Sequence, residues 1–211
     1  MKHGFDKDFW ERHWQQGPDE GPGSMGGNPP NPYVARETSG LTPGTALDAG
    51  CGAGAEAIWL ASHGWHVTAA DISPEALARA AERAAATRTP ERLQWMEADL
   101  GAWTPDVRFD LVMTCYAHPA MPQLEFYDRI SGWVAPGGTL LIVAHLHNQA
   151  STGHGHHPPA EASATSAAVT ARLDGTEWDI VTADEQLRTL TGPGGRAVPL
   201  HDVVVRATRR P

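Results

Sequence analysis

Asp48, Gly50, Gly52 and Gly54 fall within seven residues, and a second acid, Asp71, closes the same stretch. Glycines on alternate positions let a backbone turn tightly and come close to a ligand. A helix starting behind them offers unpaired N–H groups to that ligand. An acid at the end of the following strand is placed to accept hydrogen bonds from a ribose diol. The elements needed to hold these residues are legible around them. Ala46-Leu47 ends a buried strand, and Ala57, Ile58, Leu60 and Ala61 share one face of a helix. Gly64 stops that helix, and Val67 to Ala70 form a second buried strand ending at Asp71. The unit is βαβ, and it predicts a nucleoside-containing ligand.

Gly50-x-Gly52-x-x-Ala55 also fits a dinucleotide fingerprint, so a dinucleotide-dependent oxidoreductase stands as an alternative. Two residues argue against a pyrophosphate. Asp48 would repel it, and Gly54 opens the helix end further than a pyrophosphate clamp needs. The string Asp-Ala-Gly-Cys-Gly-Ala-Gly over 48–54 resembles the first motif of the class I S-adenosylmethionine-dependent methyltransferases. The resemblance implies S-adenosyl-L-methionine as cofactor and methyl transfer to a small-molecule acceptor. It sets Asp48, Gly50, Cys51, Gly52 and Gly54 around the methionine moiety and Asp71 with Ile72 at the ribose. It also sets Asp99 with Leu100 at the adenine and Cys115 beside the methionine end. A non-catalytic protein that keeps the cofactor site is the other alternative.

The 211 residues suit a single domain with a substantial core. With 41% hydrophobic and 19% charged residues the composition is that of an ordinary globular chain. A formal net charge of −9 argues against nucleic acid or an anionic membrane as the main partner. The two cysteines, Cys51 and Cys115, suggest no disulfide framework, and no apolar stretch is long enough to span a bilayer. A cytoplasmic location is the expectation.

Residues 1–40 read as an N-terminal cap and 41–211 as the core. Asp8 to Trp14 suggests one or two helical turns, with His13 and Trp14 directed at an acceptor pocket and Phe9 and Trp10 only packing. Gly17 to Pro32 is too rich in glycine, proline and asparagine for regular structure. A short helix near Tyr33 to Gly40 then adds Tyr33 to the pocket. Ser73-Pro74-Glu75 caps and starts a helix, and Leu93 to Asp99 forms a third strand ending in an acid. Phe109 to Cys115 is a fourth strand, with Tyr116 and His118 at its mouth. A helix over Gln123 to Trp133 and a Pro136-Gly137-Gly138 turn lead into a fifth strand, Thr139 to Val143.

His145, His147, His154, His156 and His157 crowd into a Gly/Ser/Pro-rich stretch. They lack helical His-x-x-x-His spacing and interleaved cysteine or carboxylate, so no specific metal site is expected and a lid over the acceptor pocket is. Ser163 to Leu173 reads as a helix, Trp178 to Val181 and His201 to Thr208 as the last two strands, and Thr191 to Gly195 as the hairpin loop between them. The expected fold is a doubly wound, seven-stranded, Rossmann-like methyltransferase sheet with an antiparallel last strand. His118, with His145 as a second candidate, is the base that would take an acceptor's proton; the alternative is a histidine that only shapes the pocket. The Asp-Phe-Trp-Glu opening, Pro30-Asn31-Pro32 and His118 look most like the tellurite-resistance and thiopurine methyltransferase branch.

Overall fold

Strand β1 (Thr45–Ala49) is buried along both faces, and it lies at the centre of the molecule because both faces are covered by helices. The computed structural model describes residues 4–15, 29–87, 90–146, 163–191 and 197–211. The readings made on residues 17–28, His147, His154, His156, His157 and the 192–195 loop lie outside them.

Around β1 are arranged β2 (His66–Asp71), β3 (Leu93–Glu97), β4 (Phe109–Cys115), β5 (Val134–His145), β6 (Trp178–Thr191) and β7 (Ala197–Arg209). The sheet order is β3-β2-β1-β4-β5-β7-β6. β1 pairs in parallel with β2 on one side and β4 on the other, so the order reverses at β1. β7 runs antiparallel to both β5 and β6.

Alternation along the strands sorts the core into two layers. Leu47, Val112, Leu140 and Ile142 face Phe126, Tyr127 and Ile130 of α5 (Gln123–Ser131). Their neighbours Ala46, Leu111, Met113, Leu141 and Val143 face Val34 of α2 (Pro32–Thr38) and Ala57 and Leu60 of α3 (Ala55–Ser62). α4 (Pro74–Ala85) is capped as its sequence predicts, Ser73 Oγ accepting from the Ala76 N–H at 3.2 Å. α1 (Lys7–Gln15) packs on α4, tied down where Ser73 Oγ–H donates to Glu11 at 2.6 Å.

Several readings are corrected in extent. The sixth strand, read over Trp178 to Val181, runs on to Thr191, and the third ends at Glu97, two residues before Asp99. Pro136-Gly137-Gly138 is not a turn before β5 but an interruption within it. Phe109 pairs with Val134 and Leu111 with Thr139, so Ala135 to Gly138 bulge out of the ladder. The helix read over Ser163 to Leu173 spans only α6 (Ser166–Thr170), which Thr165 caps by accepting from Ala168 N–H at 3.0 Å.

Gly54 has φ 75°, and a Cβ there would lie 2.6 Å from Trp95 and 2.9 Å from Ala80. Gly137 has nearly the same φ, 76°, with nothing within 4 Å. Gly54→Ala should therefore combine left-handed strain with overpacking and cost about 2–4 kcal/mol. Gly137→Ala should cost only the strain, about 1–2 kcal/mol. Urea denaturation of the two variants checks this, and equal losses would refute the packing role of Gly54.

Candidate active site

The C-terminal ends of β1 and β4 form the crevice where an open α/β sheet binds ligands, because the flanking loops diverge at the reversal of strand order. A cavity of about 250 Å³ lies there. Its floor is Gly50, Cys51, Gly52 and Ala53 after β1. Asp71 and Ile72 after β2, then Ala98, Asp99 and Leu100 after β3, form one wall. Tyr116 to Ala120 after β4, with Cys115 at its end, form the other. Phe5, Trp10, Trp14 and Asn31 close the cavity from the N-terminal side, and Arg188 reaches in from β6.

The glycine loop is wired to the neighbouring strand. Gly50 and Cys51 N–H groups both donate to Ala70 O, at 2.8 and 3.0 Å. The Asp71 carboxylate accepts from Gly52 N–H at 2.8 Å and from Ser73 N–H at 3.0 Å. Gly50 leaves room for Ala117, whose Cβ would lie 2.3 Å from a Cβ added there, and Gly52 for the ring of Trp14, at 2.9 Å. Gly54 does not face the cavity: it packs on Trp95 and Ala80, where close approach of helix and strand leaves no space for a side chain.

Three carboxyls gather behind this loop. Asp48 is 1% exposed, and its Oδ2 has no hydrogen-bond partner. Burial, with the charges of Glu56 and Asp71 added, holds its carboxyl well above the usual range. Burial also raises Glu56, although it accepts from Asn31 N–H at 3.0 Å. Asp71 is raised by burial as well, against the pull of its backbone hydrogen bonds. The Arg83 guanidinium eases the charge on Glu56, but burial outweighs it, and a ligand bearing positive charge would offset the rest. The two thiols do not add a nucleophile, because burial pushes both Cys51 and Cys115 well above their ordinary range.

On the far side, Tyr116 takes a left-handed backbone, φ 59°. Its hydroxyl is saturated. It donates to the buried Asp202 at 2.9 Å and accepts from Asn31 at 3.1 Å and Arg188 at 2.9 Å. Burial raises the Tyr116 hydroxyl far out of the physiological range, so no phenolate forms. Burial alone would raise Asp202, but hydrogen bonds from His145 and Arg188 hold it below the usual range. Arg188 spends Nε on Asp202 and Nη2 on Tyr116, while Nη1 has no hydrogen-bond partner among the described residues.

Several readings shift. His145 stacks on the Tyr116 ring at 3.9 Å and leans on Asp202 at 3.5 Å, one layer behind the cavity wall. His13 is exposed on α1, and Tyr33 is buried beneath Arg36 and Arg188, so neither lines the cavity. Trp10 does line it, contrary to the packing role expected, because its indole N–H donates to His118 O at 3.1 Å and turns the ring inward. His118 lines it too and is 8% exposed. Asn31, Glu56, Arg188 and Asp202 were missed. Asp202 had a signal, an acid leading the apolar run Val203-Val204-Val205; Arg188, on an edge strand of mixed residues, had none.

A methyltransferase-domain family matches residues 46–138. The chain is 30% identical to a probable thiol methyltransferase 2 of Arabidopsis thaliana over 73% of its own length and 67% of the relative's. The chain belongs to the class I S-adenosylmethionine-dependent methyltransferases. Other curated relatives that this methyltransferase matches are covered over 38% or 50% of their length. In fold it is similar to the protein solved under "Conversion of a Disulfide Bond into a Thioacetal Group during Echinomycin Biosynthesis". That likeness has TM-score 0.71 and 23% identity over 97% of this chain and 91% of the other. It is also similar to TehB from Haemophilus influenzae, with TM-score 0.69 and 17% identity over 86% of this chain and 62% of the other. Among the described residues no helix is long and apolar enough to cross a membrane. The carboxyl cluster fits the cofactor of this methyltransferase family, whose sulfonium and ammonium would relieve the burial of Asp48, Glu56 and Asp71.

Asp48 sets a pH test. Its folded-state value is raised, so its stabilising contribution is present at low pH and lost as pH rises through that value. Asp48→Asn keeps the shape without the charge. The cofactor-free variant should melt above wild type, by roughly 2–4 °C per kcal/mol recovered, with the gain growing from pH 4 to pH 9. Calorimetric melts across that range check it, and a variant less stable throughout would overturn the assignment.

Proposed function

We propose that the cavity binds S-adenosyl-L-methionine beside a small-molecule acceptor and directs a methyl group to an O, N, S or metalloid nucleophile. The observation that carries this is the conjunction of three desolvated carboxyls with one continuous cavity ending at His118 and Arg188. Asp99 and Leu100 hold the adenine, and Asp71 and Ile72 the ribose. Gly50, Cys51 and Gly52, backed by Asp48 and Glu56, hold the methionine moiety, with Cys115 alongside. The cofactor supplies a methyl carbon already activated by the sulfonium, so the protein supplies orientation and exclusion of water.

Tyr116, Trp10, Trp14 and Asn31 shape the acceptor end. Arg188 offers its unpaired Nη1 to an acceptor that carries or develops negative charge. The thiol methyltransferase relative supports an acceptor of this kind. His118 takes the acceptor's proton where there is one to take. Burial lowers its pKa and keeps the ring neutral near pH 7. The likeness to TehB supports the tellurite-resistance and thiopurine branch. One domain of 211 residues, a net charge of −9 and free cysteines support a cytoplasmic enzyme acting without nucleic acid or membrane.

Two measurements test this reading. By calorimetry S-adenosylhomocysteine should bind and NADH should not; the reverse would restore the oxidoreductase. Removing Arg188 alone would strand the buried Asp202, so the pair is changed together. Arg188→Met with Asp202→Asn should raise KM for thiocyanate or thioglycolate about ten- to a hundredfold, the scale of one hydrogen bond to a charged group. S-adenosylhomocysteine affinity should stay within about twofold, well under 1 kcal/mol. An unchanged KM would remove Arg188 from acceptor recognition.

A further inference from the structure

Gln123, in the first turn of α5, is buried at 5% exposure although no substrate-facing role falls to it. Its amide bridges two neighbours in the loop after β4. Nε2 lies 2.9 Å from the carbonyl oxygen of Ala117, and Oε1 lies 3.1 Å from Nδ1 of His118. A carbonyl oxygen only accepts hydrogen bonds, so the amide must turn its NH₂ toward Ala117. Its oxygen then faces His118, and that oxygen also only accepts. Nδ1 must therefore carry the hydrogen. A neutral imidazole holds a single ring hydrogen, so the lone pair is on Nε2.

We propose that Gln123 is a positioning residue that holds His118 in the tautomer whose Nε2 is free to take a proton from the acceptor. This rests on the reading of His118 as proton acceptor. The step balances without a further reactant. The acceptor's X–H bond gives its proton to Nε2, and the electron pair left on X forms the new bond to the methyl carbon. The methyl–sulfonium bond breaks with its pair staying on sulfur, and the imidazolium returns the proton to water after product leaves. Gln123 fits both states, because its oxygen accepts from Nδ1–H in the neutral ring and in the imidazolium.

The surroundings leave little else to set the ring. Phe5, at 5.7 Å between ring centroids, and Trp10, which binds the His118 carbonyl, carry no charge. Tyr127 of α5, near Gln123, is kept protonated by burial. Among the described residues, His145 is the titratable neighbour whose charge bears on His118, and it opposes protonation. An acceptor with the acidity of a thiol matches so weak a base better than an alcohol does.

The test uses the full-length protein with 2-mercaptoethanol as acceptor, comparing Gln123→Glu, Gln123→Met and His118→Ala. Nitrogen-15 NMR of histidine-labelled wild type should show His118 protonated at Nδ1, and Gln123→Met should show mixed tautomers. A carboxylate at 123 stabilises the imidazolium, so Gln123→Glu should move the acidic limb of the kcat profile up by about one pH unit. Gln123→Met should lower kcat about tenfold, with KM for the thiol and S-adenosylhomocysteine affinity little changed. Wild-type His118 protonated at Nε2 would overturn the proposal. So would an unmoved limb in Gln123→Glu when His118→Ala abolishes that limb. A limb that survives in His118→Ala would instead sink the base itself, and Gln123 with it.

Discussion

Three carboxyls, Asp48 and Asp71 buried and Glu56 half-buried, crowd together where the strand order reverses, and that constraint organises the rest of the site. Asp48 alone has a buried oxygen with no partner, and its neighbours Glu56 and Asp71 make its ionisation harder still. A folded chain keeps such a group only if something else compensates it. In this family the cofactor is cationic, and its charge would complement the acids behind the loop. The glycine loop follows from the same need. Its backbone must pass close over the acids, and Asp71 fixes it there by accepting from Gly52 and Ser73 N–H groups. Asp71 thus shapes the loop as well as facing the cavity, and its removal would disturb both.

The opposite wall is built by a different rule. Tyr116, Asp202, Arg188 and Asn31 satisfy one another so fully that the tyrosine hydroxyl has nothing left to offer a substrate. What such a network provides is rigidity and, on Arg188, a donor edge without a partner among the described residues. The two walls are joined through Asn31, whose backbone N–H binds Glu56 and whose side chain binds Tyr116. A single residue from the segment before α2 therefore spans the acidic and the basic sides of the cavity.

Most of the fold was legible because its signals are local. Buried parallel strands are continuous apolar runs, and caps such as Ser73 and turns such as Gly64 act within a few residues. The departures have local causes too. The Pro136-Gly137-Gly138 string reads as a turn, but flanking pairs on both sides keep it inside β5 as a bulge. Thr165 caps a helix that its sequence extends and the structure cuts short at Thr170.

The sequence by itself determined the βαβ unit, the succession of strands and helices along the chain, the family, and the acids at the end of β2 and just after β3, since each depends on residue types at fixed short spacings. Only the tertiary structure decided which side chains share the cavity. Arg188 and Tyr116 meet across 72 positions and Trp10 and His118 across 108. It also decided that Gly54 serves packing and that His145, His13 and Tyr33 stand outside the cavity lining. Spacing along a chain sets which face a residue occupies, but the neighbour across that face comes from another strand or helix, and nothing in a short string encodes it.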